Sequence, residues 1–199
     1  MTPQLAKWSG AFGDDYIARN DALDHRALTR MWAGMLRNVR PRSILEVGAN
    51  VGHNLRALRT ITDAKLAAAE PNELACERLR REGVLVANAC AESLPFNDGA
   101  FDMVFTSGVL IHVHPDDLPP AMDEIARVAD RYVLCAEYFS AEPREVPYRG
   151  QPGMLWTRDF GRAYLDHVPE LRCVDYGFFW RGAGAVDSLT WWLFEKGRR

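Results

Sequence analysis

No apolar run approaches the roughly 18–20 residues that a membrane-spanning helix needs, and the opening MTPQLAKWSG lacks the apolar stretch of a secretory signal. A soluble, cytoplasmic protein with no membrane partner is expected. Cysteine is sparse: Cys76, Cys90, Cys135 and Cys173 are scattered, with no C-x-x-C pair. Neither a disulfide framework nor a zinc site is expected from them, and they read as buried small hydrophobes. An excess of charge of one sign is also missing. The 24 Lys and Arg stand against 27 Asp and Glu, for a net charge of −3, with no long basic tract. That balance speaks against nucleic acid as a partner. Internal repeats and low-complexity segments are absent too.

What is present is ordinary globular material. A chain of 199 residues, 48% hydrophobic and 26% charged, suits one domain over 1–199 with a single core. From Ser43 onward apolar runs alternate with helical patterns, the mark of an α/β fold: a mostly parallel, Rossmann-like sheet with helices on both faces. Seven strands are predicted, at 43–47, 65–70, 84–87, 101–107, 132–138, 173–180 and 189–195. Helices are predicted at 52–61, 72–81, 115–129 and 157–167, and the connection after the third strand is short. Only RGAGAVD joins the last two strands, so a hairpin and an antiparallel last strand are expected. Two segments lie outside the alternation: 1–40, read as an N-terminal helical lid, and 140–155, a Pro- and Gly-containing loop on the substrate side.

The first strand runs into ILEVGANVGHNL, where Gly48 and Gly52 bracket a turn before a helix. Glycines there let backbone N–H groups approach an anionic ligand group, although tight strand-to-helix turns also need glycine for structure alone. The second strand, KLAAAE, ends in Glu70, whose carboxylate could accept hydrogen bonds from both hydroxyls of a ribose. Its alternative role is a favourable charge at the start of the helix opened by Pro71-Asn72-Glu73. A third element, NACAESLPFNDGAFDMVFTSGVLIHV, joins a short loop to a fourth strand ending in small residues.

In combination these motifs resemble class I methyltransferases, in which E-x-G-x-x-x-G follows the first strand, an acid ends the second, and an L-P-F loop precedes F-D-x-V. The resemblance spans roughly 44–136 and implies S-adenosylmethionine (SAM) as cofactor. It implies that Gly48, Ala49 and Gly52 cradle the methionine end, that Glu70 holds the ribose, and that Cys90, Ala91 and Glu92 edge the adenine. Glu46, Asn50, Pro71 and Ser107 complete the set from the same strand ends, with Tyr16 and Arg19 reaching in from the lid. Two departures stand out: Asn50 replaces the usual middle glycine, and Cys90 replaces an Asp that accepts the adenine amino group. Longer stretches, WSGAFGDDYIARN, GVLIHVHPDDLP, AEYFSAEPREVPYRG and VDYGFFW, are similar to methylases associated with pseudaminic acid biosynthesis. That narrower resemblance implies a small, sugar-like, acidic acceptor.

Methyl transfer from a sulfonium requires a nucleophile held about 3–3.5 Å from the methyl group and exclusion of water; no metal is required. His112, just past the fourth strand, is the candidate general base; it and His114 could instead orient the helix beginning near Pro115. A metal held by His112, His114 and Asp116 is set aside for want of further ligands. Glu137 and Tyr138 end the fifth strand and are candidate acceptor contacts. Tyr148 and Arg149 offer a phenol and a guanidinium suited to a carboxylate or phosphate, or a loop fastening. Trp8, Phe12, Tyr16, Arg19 and Asn20 fall partly on a helical spacing, as a lid would. Trp191 and Trp192 should face opposite sides of the last strand, one in the core and one available to a partner such as a second copy in a homodimer. Competing functions are SAM chemistry other than methylation (side-chain transfer or cyclisation releasing methylthioadenosine), a SAM-binding sensor, and, least favoured, a nicotinamide-dependent oxidoreductase.

Overall fold

A computed structural model describes residues 3–19 and 23–197; Asn20, placed on the lid by its spacing, lies outside them. The chain opens with three helices, α1 (Pro3–Trp8), α2 (Ala11–Arg19) and α3 (His25–Met35). It continues as β1 (Ser43–Val47), α4 (His53–Leu58), β2 (Lys65–Glu70), α5 (Glu73–Arg81), β3 (Leu85–Asn88) and β4 (Phe101–Ser107). Then come α6 (Leu118–Val128), β5 (Ala129–Glu137), β6 (Arg144–Glu145), β7 (Trp156–Thr157), α7 (Phe160–His167), β8 (Leu171–Phe179) and β9 (Leu189–Lys196).

Seven strands form one sheet in the order β3-β2-β1-β4-β5-β9-β8. All neighbours are parallel except β9, which runs antiparallel to both β5 and β8. The sheet matches the expected α/β fold, including the antiparallel last strand. Helix α6 begins three residues later than the pattern predicts. Pro119 and Pro120 fit its first turn, where backbone N–H groups lack helical partners, whereas 115–117 form a turn. Segment 140–155 is not a bare loop either, since β6 and β7 pair at its flanks and Tyr148 bridges to Gln151.

Two apolar clusters sandwich the sheet. One joins α6 and α7 through Met122, Ile125, Phe160 and Tyr164 to one face; the other joins α3 and α4 through Trp32, Met35, Leu55 and Leu58 to the opposite face. The lid expected over 1–40 therefore divides. Helix α3 starts at Asp24, whose side chain accepts the N–H groups of Arg26 and Ala27 at 2.9 and 3.1 Å. It then buries Leu28, Met31, Trp32 and Met35, with the Trp32 ring 4.4 Å from that of Phe105; α3 is core. Only α1 and α2 are left to lie across the sheet's carboxyl edge.

Trp191 and Trp192 do face opposite sides, but both are buried, one in each cluster, so neither is available to a partner. The exposed aromatics include Phe139, after β5, and Tyr176, Phe178 and Trp180, on or just after the edge strand β8. Among the described residues no helix is long and apolar enough to cross a membrane.

Candidate active site

A cavity of about 320 Å³ opens at the carboxyl edge of the sheet, where strand order reverses between β1 and β4 and post-strand loops gather. At its centre the β1 turn folds back on β2: the Gly48 N–H donates to the Ala69 carbonyl at 2.8 Å. Gly48 has φ +74°, and a Cβ there would lie 2.6 Å from the Val109 side chain, so this position admits no side chain. Asn50 has φ +47°, a left-handed conformation that Asn tolerates better than most residues, which is how it can replace a glycine. Gly52 stands differently. It lies off the cavity wall as the N-cap of α4, at φ +82°, where a Cβ would sit 2.6 Å from the end of Leu79.

Two carboxylates ride on the strand ends. Glu70 accepts the N–H of Asn50 at 2.7 Å on one oxygen and the N–H of Asn72 at 2.9 Å on the other. Burial pushes its pKa up to about 7 against those two bonds. Glu46 accepts from the Asn54 amide at 2.6 Å through Oε1, and Asn54 in turn accepts the Trp32 indole N–H at 3.0 Å. Its other oxygen, Oε2, is buried on the cavity wall with no hydrogen-bond partner among the described residues. Burial raises the Glu46 pKa to about 8, opposed by Asn54 and reinforced by Glu70.

Ala49 after β1, Pro71 after β2, and Cys90, Ala91 and Glu92 after β3 continue the wall, and Ser107 ends β4 on the other side of β1. Asn50 Oδ1 and Glu92 Oε2 are also buried without partners among the described residues. Tyr16 reaches the wall from α2, but Arg19 does not: its guanidinium lies 5.7 Å from the Phe12 ring centroid and 5.9 Å from that of Tyr16.

His112 also lines the cavity. Its Nδ1 lies 2.6 Å from the Met154 carbonyl, so Nδ1 carries the proton and Nε2 is the acceptor. Burial lowers its pKa to about 4 despite that bond, and the imidazole is neutral at ordinary pH. Trp8 and Tyr148 pack on the His112 ring, at centroid distances of 4.6 and 4.9 Å; Gln4 of α1 donates to the His112 carbonyl. This joins α1 to the 140–155 segment over the mouth. Tyr138, Tyr148 and Arg149 themselves stay off the wall. Arg149 is exposed at φ +51°, 5.8 Å from the Tyr148 ring centroid. Glu137 is fully buried, off the cavity wall, and accepts the N–H groups of Val109, Leu110 and Ile111 at 3.1–3.4 Å, so it fastens the turn after β4. His114 Nδ1 accepts the Asp116 N–H at 3.2 Å, a local turn bond, and no group of three metal-ligating residues occurs among the described residues.

Sequence reasoning missed Asn54, which holds Glu46, and Asp187, which reaches the wall from the β8–β9 connection and accepts the Tyr138 hydroxyl. An Asn in the first turn of the helix that follows the glycine turn was a usable signal for the first. For Asp187 the sequence offered none, since a turn aspartate is commonplace.

Residues 45–132 match the family model of the methyltransferase domain; no curated protein sequence matches the chain. Among solved structures, the chain resembles 1,6-didemethyltoxoflavin-N1-methyltransferase of Burkholderia thailandensis, at TM-score 0.72 and 17% identity, over 98% of this chain and 87% of that one. It likewise resembles magnesium protoporphyrin IX methyltransferase of Synechocystis PCC 6803, at TM-score 0.70 and 10% identity over 99% of each, and the [4+2]-cyclase SpnF, at TM-score 0.65 and 15% identity over 88% and 81%. The fold is that of the class I methyltransferases. The match over residues 45–132 is to a methyltransferase domain, and S-adenosylmethionine is the cofactor that this match implies. The wall fits that group: an unpartnered buried carboxylate oxygen at Glu46 suits an ammonium, Glu70 suits a diol, and Glu92 and Asn50 supply further unpaired acceptors.

Proposed function

We propose that the protein methylates an oxygen or nitrogen of a small, sugar-like acceptor in the cytoplasm. The observation that carries this reading is the division of the cavity by sheet order. The β1–β2–β3 side presents Glu46, Gly48, Ala49, Asn50, Glu70, Pro71, Cys90, Ala91 and Glu92, whereas the β4–β5–β9 side presents Ser107, Val109, Ala136, Asp187 and Leu189. One side holds the cofactor and the other receives the acceptor, so the reacting atoms meet near Gly48 and Ser107.

The cofactor supplies a methyl group on a sulfonium, and the chain's work is to bind, orient and exclude water. Glu46 takes the ammonium, Glu70 the ribose, and Cys90, Ala91 and Glu92 the adenine. Gly52 and Arg19 act from behind the wall, the first by setting α4 and the second by packing on Tyr16. Neutral His112 offers Nε2 as a hydrogen-bond acceptor to an incoming hydroxyl. Tyr148 roofs it, with α1 and α2 closing the mouth. Tyr138 acts through Asp187. The acidic character implied by the pseudaminic resemblance has Arg149, outside the cavity, as its cationic counterpart.

The test is to incubate the purified protein with SAM and a panel of amino, neutral and acidic sugars and nucleotide sugars, then identify the adenosyl by-product by mass spectrometry. S-adenosylhomocysteine with one added methylene on an acceptor is expected. Methylthioadenosine would replace methylation with side-chain transfer or cyclisation, and binding without turnover would make the protein a sensor.

A further inference from the structure

The part of the acceptor half around β9 is apolar apart from one charge. Val109, Ala136, Phe179, Val186 and Leu189 surround Asp187, and α3 closes this side, with Gly34 against the Phe179 ring. Asp187 is fixed twice: Oδ1 accepts the Ser188 N–H at 2.8 Å, and Oδ2 accepts the Tyr138 hydroxyl. A carboxylate has about four lone-pair sites, so these two bonds set its orientation and leave capacity toward the cavity. No Lys or Arg is found on the cavity wall among the described residues, where Glu92 and Asp117 stand as further acids.

We propose that Asp187, positioned by Tyr138, is the acceptor-recognising residue, and that it selects an acceptor presenting a hydrogen-bond donor, an amine or a hydroxyl, to the inner cavity. Anionic ends are refused there: a carboxylate or phosphate would meet Asp187 with no cation to neutralise it and would be desolvated among apolar side chains. An acid on the acceptor must then stay outside, toward Arg149. This inference rests on the division of the cavity into cofactor and acceptor halves.

The experiment uses protein saturated with S-adenosylhomocysteine and three probes of one shape and different charge: benzylamine, benzyl alcohol and benzoate, with dissociation constants from ligand-observed NMR. Benzylamine should bind at least about tenfold more tightly than benzoate, with benzyl alcohol between them. Asp187→Asn should abolish that ordering, Asp187→Glu should keep it, and Tyr138→Phe should reduce it while keeping its direction. Benzoate binding as well as benzylamine, an ordering unchanged in Asp187→Asn, or no binding by any probe overturns the proposal. Affinity for S-adenosylhomocysteine, measured on each variant by calorimetry, is expected to stay constant; this controls for folding. Its absence in the unmodified protein would fail the cofactor reading instead, and the two failures are thereby told apart.

Discussion

Asn54 donates to one oxygen of Glu46 at 2.6 Å, and the other oxygen of that carboxylate has no partner among the described residues. The amide thus orients the acid and leaves its unpaired side to the cavity. Replacing Glu46 by Gln keeps the shape and removes the charge. A hydrogen bond to a charged group is worth about 1.5–3 kcal/mol, so affinity for S-adenosylhomocysteine should fall roughly 10- to 100-fold by calorimetry. Unchanged affinity would remove Glu46 from the cofactor's ammonium.

Three buried acids make stability pH-dependent. Burial lifts Glu46 to about 8, and Glu70 and Glu137 to about 7, from an ordinary 4.5. Between those values the folded chain binds more protons than the unfolded one, so unfolding free energy falls as pH rises. His112, lowered to about 4 from 6.5, acts in the opposite sense, but only below 6.5. From pH 6.5 to 8.5 the carboxylates act alone, and the thermal midpoint of the cofactor-free protein should drop by several degrees, at roughly 2–4 °C per kcal/mol. A midpoint that rises across this range would contradict the burial of these groups.

His112 also bears on rate. An imidazole held neutral down to about pH 4 gives kcat no ionisation near 6.5. The pH–kcat profile should therefore be flat through 6–7 on its account. An acid limb at 6.5 that disappears in His112→Gln would show instead an exposed, freely titrating base.

Asn72 joins two jobs that can be separated. Its Oδ1 caps α5 at the Ala75 N–H, 3.1 Å away, while its Nδ2 donates to Asp14 of α2 at 2.8 Å. Asn72→Asp should keep the cap yet lose the donor and repel Asp14, so limited proteolysis should cut α1–α2 sooner with little change in the melt. Asn72→Ala should lose both, with about 1 kcal/mol of stability for the cap. Equal protease resistance in Asn72→Asp would mean that this bond does not hold the closing helices.

The two glycines of the first turn should also part company. An alanine at 48 would place its Cβ 2.6 Å from branched Val109, whereas at 52 it would meet the far end of Leu79, which can move. Gly48→Ala should abolish S-adenosylhomocysteine binding. Gly52→Ala should cost about 1 kcal/mol for its positive φ and retain binding. The reverse pattern would exchange their roles.

Much of this was legible in the sequence because it is local. Alternating apolar and helical periods specify strands such as Lys65–Glu70, RGAGAVD specifies the reversal before β9, and the glycine turn and Glu70 mark a strand-end site, since each depends on neighbours a few residues apart. Contacts between distant segments were settled only by tertiary packing. The 1–40 segment split because the apolar stripe of α3 found Phe105 to cover, whereas α1 and α2 remained over the mouth. Glu137 turned from a candidate acceptor contact into a buried fastening because three N–H groups converge on it. Arg149 ended outside the cavity, and Asp187 entered it through a bond to a tyrosine 49 positions earlier. Periodicity determines which face of an element is apolar; which charge reaches a cavity depends on how the finished elements are stacked.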